Sequence, residues 1–187
     1  MDEGARRRDE WLALRCQAGD AGAFEDLLAE MERPLLYYAT KLLGNRDKAI
    51  DVLQDVWFRA FRDIRRLKDP GSLRPWLYRV THGLAVDQIR GYKSQQRAEE
   101  VVAAELADSA FEPDDSWVDA DAVHEALDRL DLPHREVLVL HFIENFPLAE
   151  IAVVVGCPEG TVKSRIHHAK KTMKEILARG GYGGQEG

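Results

Sequence analysis

Apolar residues recur along this chain every three or four positions, and no stretch shows the alternation that a strand requires, so the pattern predicts an all-α protein. Phe24, Leu27, Leu28, Met31, Leu35, Leu36, Ala39, Leu42 and Leu43 mark one helix that stops at Gly44-Asn45, with Pro34 inside it as the expected site of a kink or break. A second helix is expected over 47–67. Its inward stripe is Ile50, Leu53, Trp57, Phe61 and Ile64, and Asp51, Asp55, Arg59 and Arg62 form a charged stripe beside it. Lys68-Asp69-Pro70-Gly71-Ser72 is turn chemistry. Pro75 then suits the first turn of a third helix running to about Tyr92, with Leu77, Val80, Leu84 and Ile89 facing inward. Together with a helix near the N-terminus, these form a first helical domain over residues 1–94.

From 95 to 121 the period fades into an acidic stretch with Pro113 in its middle, read as a flexible linker with a transient helix at most over 99–106. Val123, Ala126, Leu127 and Leu130 then predict a helix stopped near Pro133, and Val137, Leu138, Leu140 and Phe142 predict another. Leu148, Ile151, Ala152 and Val155 continue the helical spacing until Gly156-Cys157-Pro158 breaks it. Val162, Ile166, Ala169, Met173 and Leu177 resume it. Two short helices meeting at a tight turn is the spacing of a helix-turn-helix. Residues 122–178 therefore form a second helical domain, and 179–187 a flexible Gly-rich tail. The expected fold is two small helical domains joined by a flexible acidic linker.

The side of the last helix opposite Val162 carries Gly160, Ser164, His167, His168 and Lys171, flanked by Thr161, Lys163 and Arg165. Small residues, hydrogen-bonding groups and cations in that arrangement suit insertion into a major groove with phosphate contacts at its edges. A net charge of −7 argues against a polyanionic partner only until its distribution is counted. Residues 59–97 hold ten cations against three carboxylates, and 98–147 hold two against fourteen. Salt screens charge beyond about 8–10 Å, so a nucleic acid responds to local patches and not to the total.

Other chemistries find little support. Only Cys16 and Cys157 occur, with no CxxC spacing, so neither a disulfide framework nor a structural zinc site is expected. His167 and His168 with Cys157 raise the question of a metal, but neighbours on one helix point about 100° apart, so no metal or cofactor is expected. No phosphate-binding glycine loop, nucleophile elbow or paired-carboxylate pattern is present, which excludes the common enzyme classes. No apolar run approaches the roughly 18–20 residues of a membrane span, and MDEGARRRDEW has no apolar stretch behind its arginines. A cytoplasmic protein without direct membrane insertion is expected.

Particular residues carry a resemblance. Over 130–177, Leu132-Pro133, Arg135-Glu136-Val137 and Gly160-Thr161-Val162-Lys163-Ser164-Arg165 closely resemble region 4 of bacterial RNA polymerase sigma factors of the extracytoplasmic-function (ECF) group. Asp47-Lys48-Ala49-Ile50-Asp51-Val52-Leu53-Gln54-Asp55-Val56-Trp57 resembles region 2.2. Arg74-Pro75-Trp76-Leu77-Tyr78-Arg79-Val80 and Leu84-Ala85-Val86-Asp87 resemble regions 2.3 and 2.4. The chain departs from that pattern at Pro147, where the family has a Ser or Thr cap that Asn145 would have to replace, and at Ile50, where an acidic residue is usual. It also has His168 and Lys170 where recognition-helix arginines are usual.

The resemblance implies a transcription initiation factor and not an enzyme. It would bind the polymerase core at the clamp coiled coil through Asp51, Gln54 and Asp55, with Val52 or Phe58 adding apolar area, and would also bind the flap. Arg74, Arg79, His82, Arg90 and Lys93 would contact the −10 element, with the loop over 68–74 forming a pocket wall. Trp76 is expected in the core, although it and Tyr78 also offer stacking surfaces. Glu159, Gly160, Thr161, Lys163, Ser164, Arg165, His167, His168 and Lys171 would meet the −35 element. Promoter DNA and an anti-sigma factor are the further partners implied. A stand-alone helix-turn-helix regulator is the alternative reading, and it leaves Asp51, Asp55 and the 68–74 loop without a purpose.

Overall fold

The computed structural model describes residues 3–98 and 118–179, with side chains described over 4–91 and 122–179. Among the described residues all regular structure is helical. The expected linker helix over 99–106, most of the linker and the Gly-rich tail lie outside the described residues, as does the side chain of Lys93.

Helix α1 (Glu3–Ala18) leads into α2 (Ala23–Leu43), which runs unbroken through Pro34. The expected break is absent: only the bond from position 34 to the Glu30 carbonyl is forgone, and Leu27, Met31, Leu35 and Tyr38 bury a continuous stripe on either side of it. Gly44 ends α2 in the left-handed conformation, with its N–H donated to the Thr40 carbonyl. Asn45 then caps α3 (Arg46–Asp63) by accepting from the Lys48 N–H at 2.9 Å.

The buried face of α3 is Ala49, Val52, Leu53, Val56 and Ala60. This is rotated from the stripe expected from the large apolar residues. Small side chains let α3 lie close against α2 and α4, while Trp57 and Phe61 are displaced to the rim, where both meet the edge of Phe24. Two 3₁₀ turns, Ile64–Arg66 and Pro70–Ser72, lead into α4 (Leu73–Ala98). Helix α1 packs on the second turn, and Gln17 donates to the carbonyls of Ile64 and Leu67 at 3.1 and 2.8 Å, tying the loop to the N-terminal helix.

The second unit comprises α5 (Val118–Asp128), α6 (Leu132–Leu138), α7 (Leu148–Val155) and α8 (Glu159–Arg179). Helix α6 continues as one π turn over Val139–Ile143. The wider turn shifts the register, so Val139 and Leu140 are buried while Phe142, expected inside, is exposed beneath the Lys170 ammonium. Pro147 occupies the N-cap of α7 without a side-chain cap. Asn145 does not replace it: this residue takes a positive φ of 57°, and its amide donates to the Ile143 carbonyl. The turn to α8 is made by Gly156 at φ 67°. The buried apolar residues of both units join in one cluster, where Tyr78 of α4 meets Phe146 edge-on at 4.9 Å.

Candidate nucleic-acid interface

Helix α8 buries Val162, Ile166 and Ala169 against α6 and α7, and this fixes which residues face outward. Glu159, Gly160, Lys163, Ser164, His167, His168 and Lys171 are exposed, and Thr161 is half-buried. The Pro158 carbonyl accepts from the N–H groups of Thr161 and Val162, which anchors the first turn. Arg165 is drawn inward, with Nη1 donating to Glu136 Oε1 at 3.0 Å. Among the described residues no group of three or more His, Cys, Asp or Glu is placed to hold a metal ion.

In the first unit the expected residues divide into three kinds. Arg79 and Arg90 are exposed on α4. His82 is half-buried, its Nε2 3.1 Å from Glu136 Oε2. Arg74 is not free at all: its Nε lies 3.2 Å from Oδ2 of the buried Asp9 of α1. Burial pushes the Asp9 carboxyl above its usual range, with Arg74 opposing that shift. Nearby, the Asp69 side chain accepts from the Gly71 N–H at 3.1 Å and Ser72 Oγ donates to the Asp69 carbonyl at 2.6 Å, so the loop is internally braced. A Cβ on Gly71 would meet Arg6 Nε at 3.4 Å, a sign of how closely α1 covers it.

Helix α3 presents Asp51, Gln54, Asp55 and Phe58 on one outer face, since positions three, four and seven apart lie together. Phe58 is 76% exposed, whereas Val52 is buried and belongs to the core. Trp76 is packed against the core, as expected, and Tyr78 is fully buried.

The residue that sequence reasoning passed over is Glu136. One buried carboxylate receives His82 from the first unit and Arg165 from the second, bringing a −10 candidate and a −35 candidate onto the same group. The signal was available: Glu136 stands four residues from both Leu132 and Leu140, on the apolar stripe of its helix, where a carboxylate requires cationic partners.

The sigma-70 region 2 family matches residues 27–95, and the sigma-70, region 4 family matches residues 120–173. The SigL ECF sigma factor of Mycobacterium tuberculosis is 31% identical over 170 residues, which span 86% of this chain and 92% of that protein. This chain belongs to the ECF RNA polymerase sigma factors. SigW of Bacillus subtilis is 27% identical over 170 residues, covering 85% of this sigma factor and 91% of the relative. The sigma factor RpoE from Bartonella quintana, solved in complex with the anti-sigma factor NepR, superposes with a TM-score of 0.74 at 25% identity, over 84% of this chain and 98% of that one. As a sigma factor, the protein is a transcription initiation factor that directs polymerase to promoters. Among the described residues, no helix of this sigma factor is long and apolar enough to cross a membrane.

Proposed function

We propose that this sigma factor acts in the cytoplasm, bound to core polymerase, reading the −10 element with α4 and the 68–74 loop and the −35 element with the first turns of α8. What carries the reading is the ordered pair of region 2 and region 4 matches on two helical units, each with a cation-bearing outer helix. Asp51, Gln54, Asp55 and the exposed ring of Phe58 offer the clamp coiled coil a patch of mixed charge and apolar area. Exposed ion pairs contribute only about 0.2–1 kcal/mol each, so the ring supplies the larger share. Arg79 and Arg90 suit phosphates of the melted strand. Lys163 and, once released from Glu136, Arg165 suit a guanine edge or a phosphate, a good base contact being worth about 1–3 kcal/mol of discrimination.

The test is transcription in vitro. Purified protein and core polymerase, given fragmented genomic DNA from the source organism, are expected to yield discrete start sites with permanganate-reactive thymines near −10. If core and protein together open no fragment that core alone leaves closed, the reading is wrong. An anti-sigma factor is the proposed regulator, supported by the superposition on a relative solved with one. Affinity capture from cells is expected to recover a small protein besides polymerase, and recovery of polymerase alone under every growth condition counts against it.

A further inference from the structure

The segment between α3 and α4 is held in shape from outside, by α1. Each of its two 3₁₀ turns closes on itself: the Leu67 N–H donates to the Ile64 carbonyl and the Ser72 N–H to that of Asp69, at 3.1 and 3.0 Å. Leu67 and Asp69, between the turns, have extended backbone outside any sheet, so the Leu67 carbonyl needs a donor from elsewhere. Gln17 of α1 supplies it. The same amide nitrogen, 2.8 Å from the Leu67 carbonyl and 3.1 Å from that of Ile64, ties together both ends of the first turn.

Three more contacts continue along α1. A Cβ on Gly19 would lie 3.5 Å from Arg65 Nη2, and one on Gly71 would lie 3.4 Å from Arg6 Nε. Asp9 holds Arg74 where the segment becomes α4. At 100° per residue, Arg6, Asp9 and Gln17 fall within about 80° of one another around the helix, so one side of α1 spans the segment from its start to its end. Leu12, Ala13 and Cys16 are buried in the core, which makes that side a rigid support. What the segment leaves exposed is Arg65, Arg66, Lys68 and Asp69, three cations and a carboxylate that accepts from the Gly71 N–H.

We propose that α1 is the positioning element of the −10 reader: it preforms the 64–74 segment for an unstacked base, and Gln17 is the positioning residue at the segment's first turn. The inference rests on the reading of the 68–74 loop given above and assigns a task to a helix that this reading leaves unused. An untethered wall would have to be ordered as the base arrives, and that entropy would be subtracted from the affinity for the base. A wall fixed beforehand spends the contact on discrimination. Contacts to phosphate from exposed cations do not depend on the exact shape of the wall, so the tether governs which base is accepted more than how tightly a strand is held.

The experiment uses the full-length protein, alone and reconstituted with core polymerase. Gln17→Met keeps the length and neutrality of the side chain and removes the donor, and Gln17→Lys restores a donor. Trypsin cleavage after Arg65, Arg66 and Lys68 reports opening of the segment in the free protein. It is expected to be about 3- to 10-fold faster in Gln17→Met, the factor set by one lost hydrogen bond, and close to the wild-type rate in Gln17→Lys. Holoenzyme is then used to select from short single strands of random sequence. Wild type is expected to favour one base at the enclosed position by about 5- to 150-fold, the scale of stacking or enclosing one base. Gln17→Met is expected to lower that preference about 3- to 10-fold, with affinity for the unselected pool kept within about twofold and the preference regained in Gln17→Lys. Arg6→Ala, an exposed change at the other end of the segment, is expected to act in the same direction and serves if Gln17→Met does not fold. Base preference equal in wild type and variants, or trypsin rates equal in all, overturns the proposal and leaves the −10 reading intact. A parallel loss of pool affinity makes Gln17 a residue of stability only and overturns it too. Wild-type holoenzyme that favours no base at any position sinks the reading of the loop, and the positioning role with it.

Discussion

Arg74 stands at the end of a turn beside a cationic helix, in the position where a contact to DNA is expected, and the fold gives it another task. Asp9 is buried on the inner side of α1 and its charge is offset by the Arg74 guanidinium, so removing Arg74 leaves a buried carboxylate with its chief cationic neighbour gone. Breaking a buried pair from one side costs roughly 3–5 kcal/mol, and the partial exposure of Arg74 puts Arg74→Ala at about 3 kcal/mol or somewhat less. Burial already raises the Asp9 carboxyl, and without Arg74 it rises further. A raised carboxyl binds its proton more tightly in the folded state than in the unfolded one, so the deficit is greatest at neutral pH and shrinks as pH falls through the raised value. Thermal melts of wild type and Arg74→Ala across that range check it, and a variant that melts like wild type but binds promoter weakly would return Arg74 to the DNA. The pairing was not legible beforehand, because the partner lies 65 residues away and a charged residue does not name its counterion.

At the scale of elements, helix positions were readable from the apolar period, while the angular setting of each helix was less so. Of the inner face expected for α3, Leu53 and Ile64 are buried, yet the helix turns Ala49, Val56 and Ala60 inward in place of Trp57 and Phe61, and Phe61 is left 70% exposed. Side-chain volume decides that choice, and the period alone does not report it. The π turn after α6 likewise moved Phe142 outward, since one added residue per turn rotates everything beyond it and no local motif marks it. The helix-turn-helix corner was legible because Gly156 serves a backbone need. At φ 67°, with nothing within 4 Å of an added Cβ, Gly156→Ala meets no clash and carries only the left-handed penalty of about 1–2 kcal/mol. Chemical denaturation is expected to show that loss, and Gly156→Asn a smaller one, because Asn tolerates the conformation. Equal losses for the two would mean that the corner is held by something other than its dihedral angles.

For the whole molecule, the balance between this packed, closed arrangement of the two units and an open one in which they separate carries a proton through Glu144. This carboxyl lies against Tyr78 and near Arg74, both of the other unit; burial raises it above its usual range, with the Tyr78 hydrogen bond and Arg74 opposing in that order. When the units separate, Glu144 returns to water and to its ordinary value. The closed form therefore binds this proton more tightly than the open form. The contribution favouring closure is complete below the ordinary carboxylate value and is lost as pH rises through the raised one. Other ionisable side chains stand at or near this interface, among them Glu136, Asp128, His82, His124 and, near Arg74, Glu150, so the measurement is the difference between wild type and Glu144→Gln. Scattering of both proteins from neutral to mildly acidic pH is expected to show wild type gaining compactness relative to the variant as pH falls. The two should converge in the acid limit, where both carry a neutral group at position 144. A difference that is flat, or that grows in the opposite direction, would mean that Glu144 stays solvated in the free chain and that the two units do not close over it.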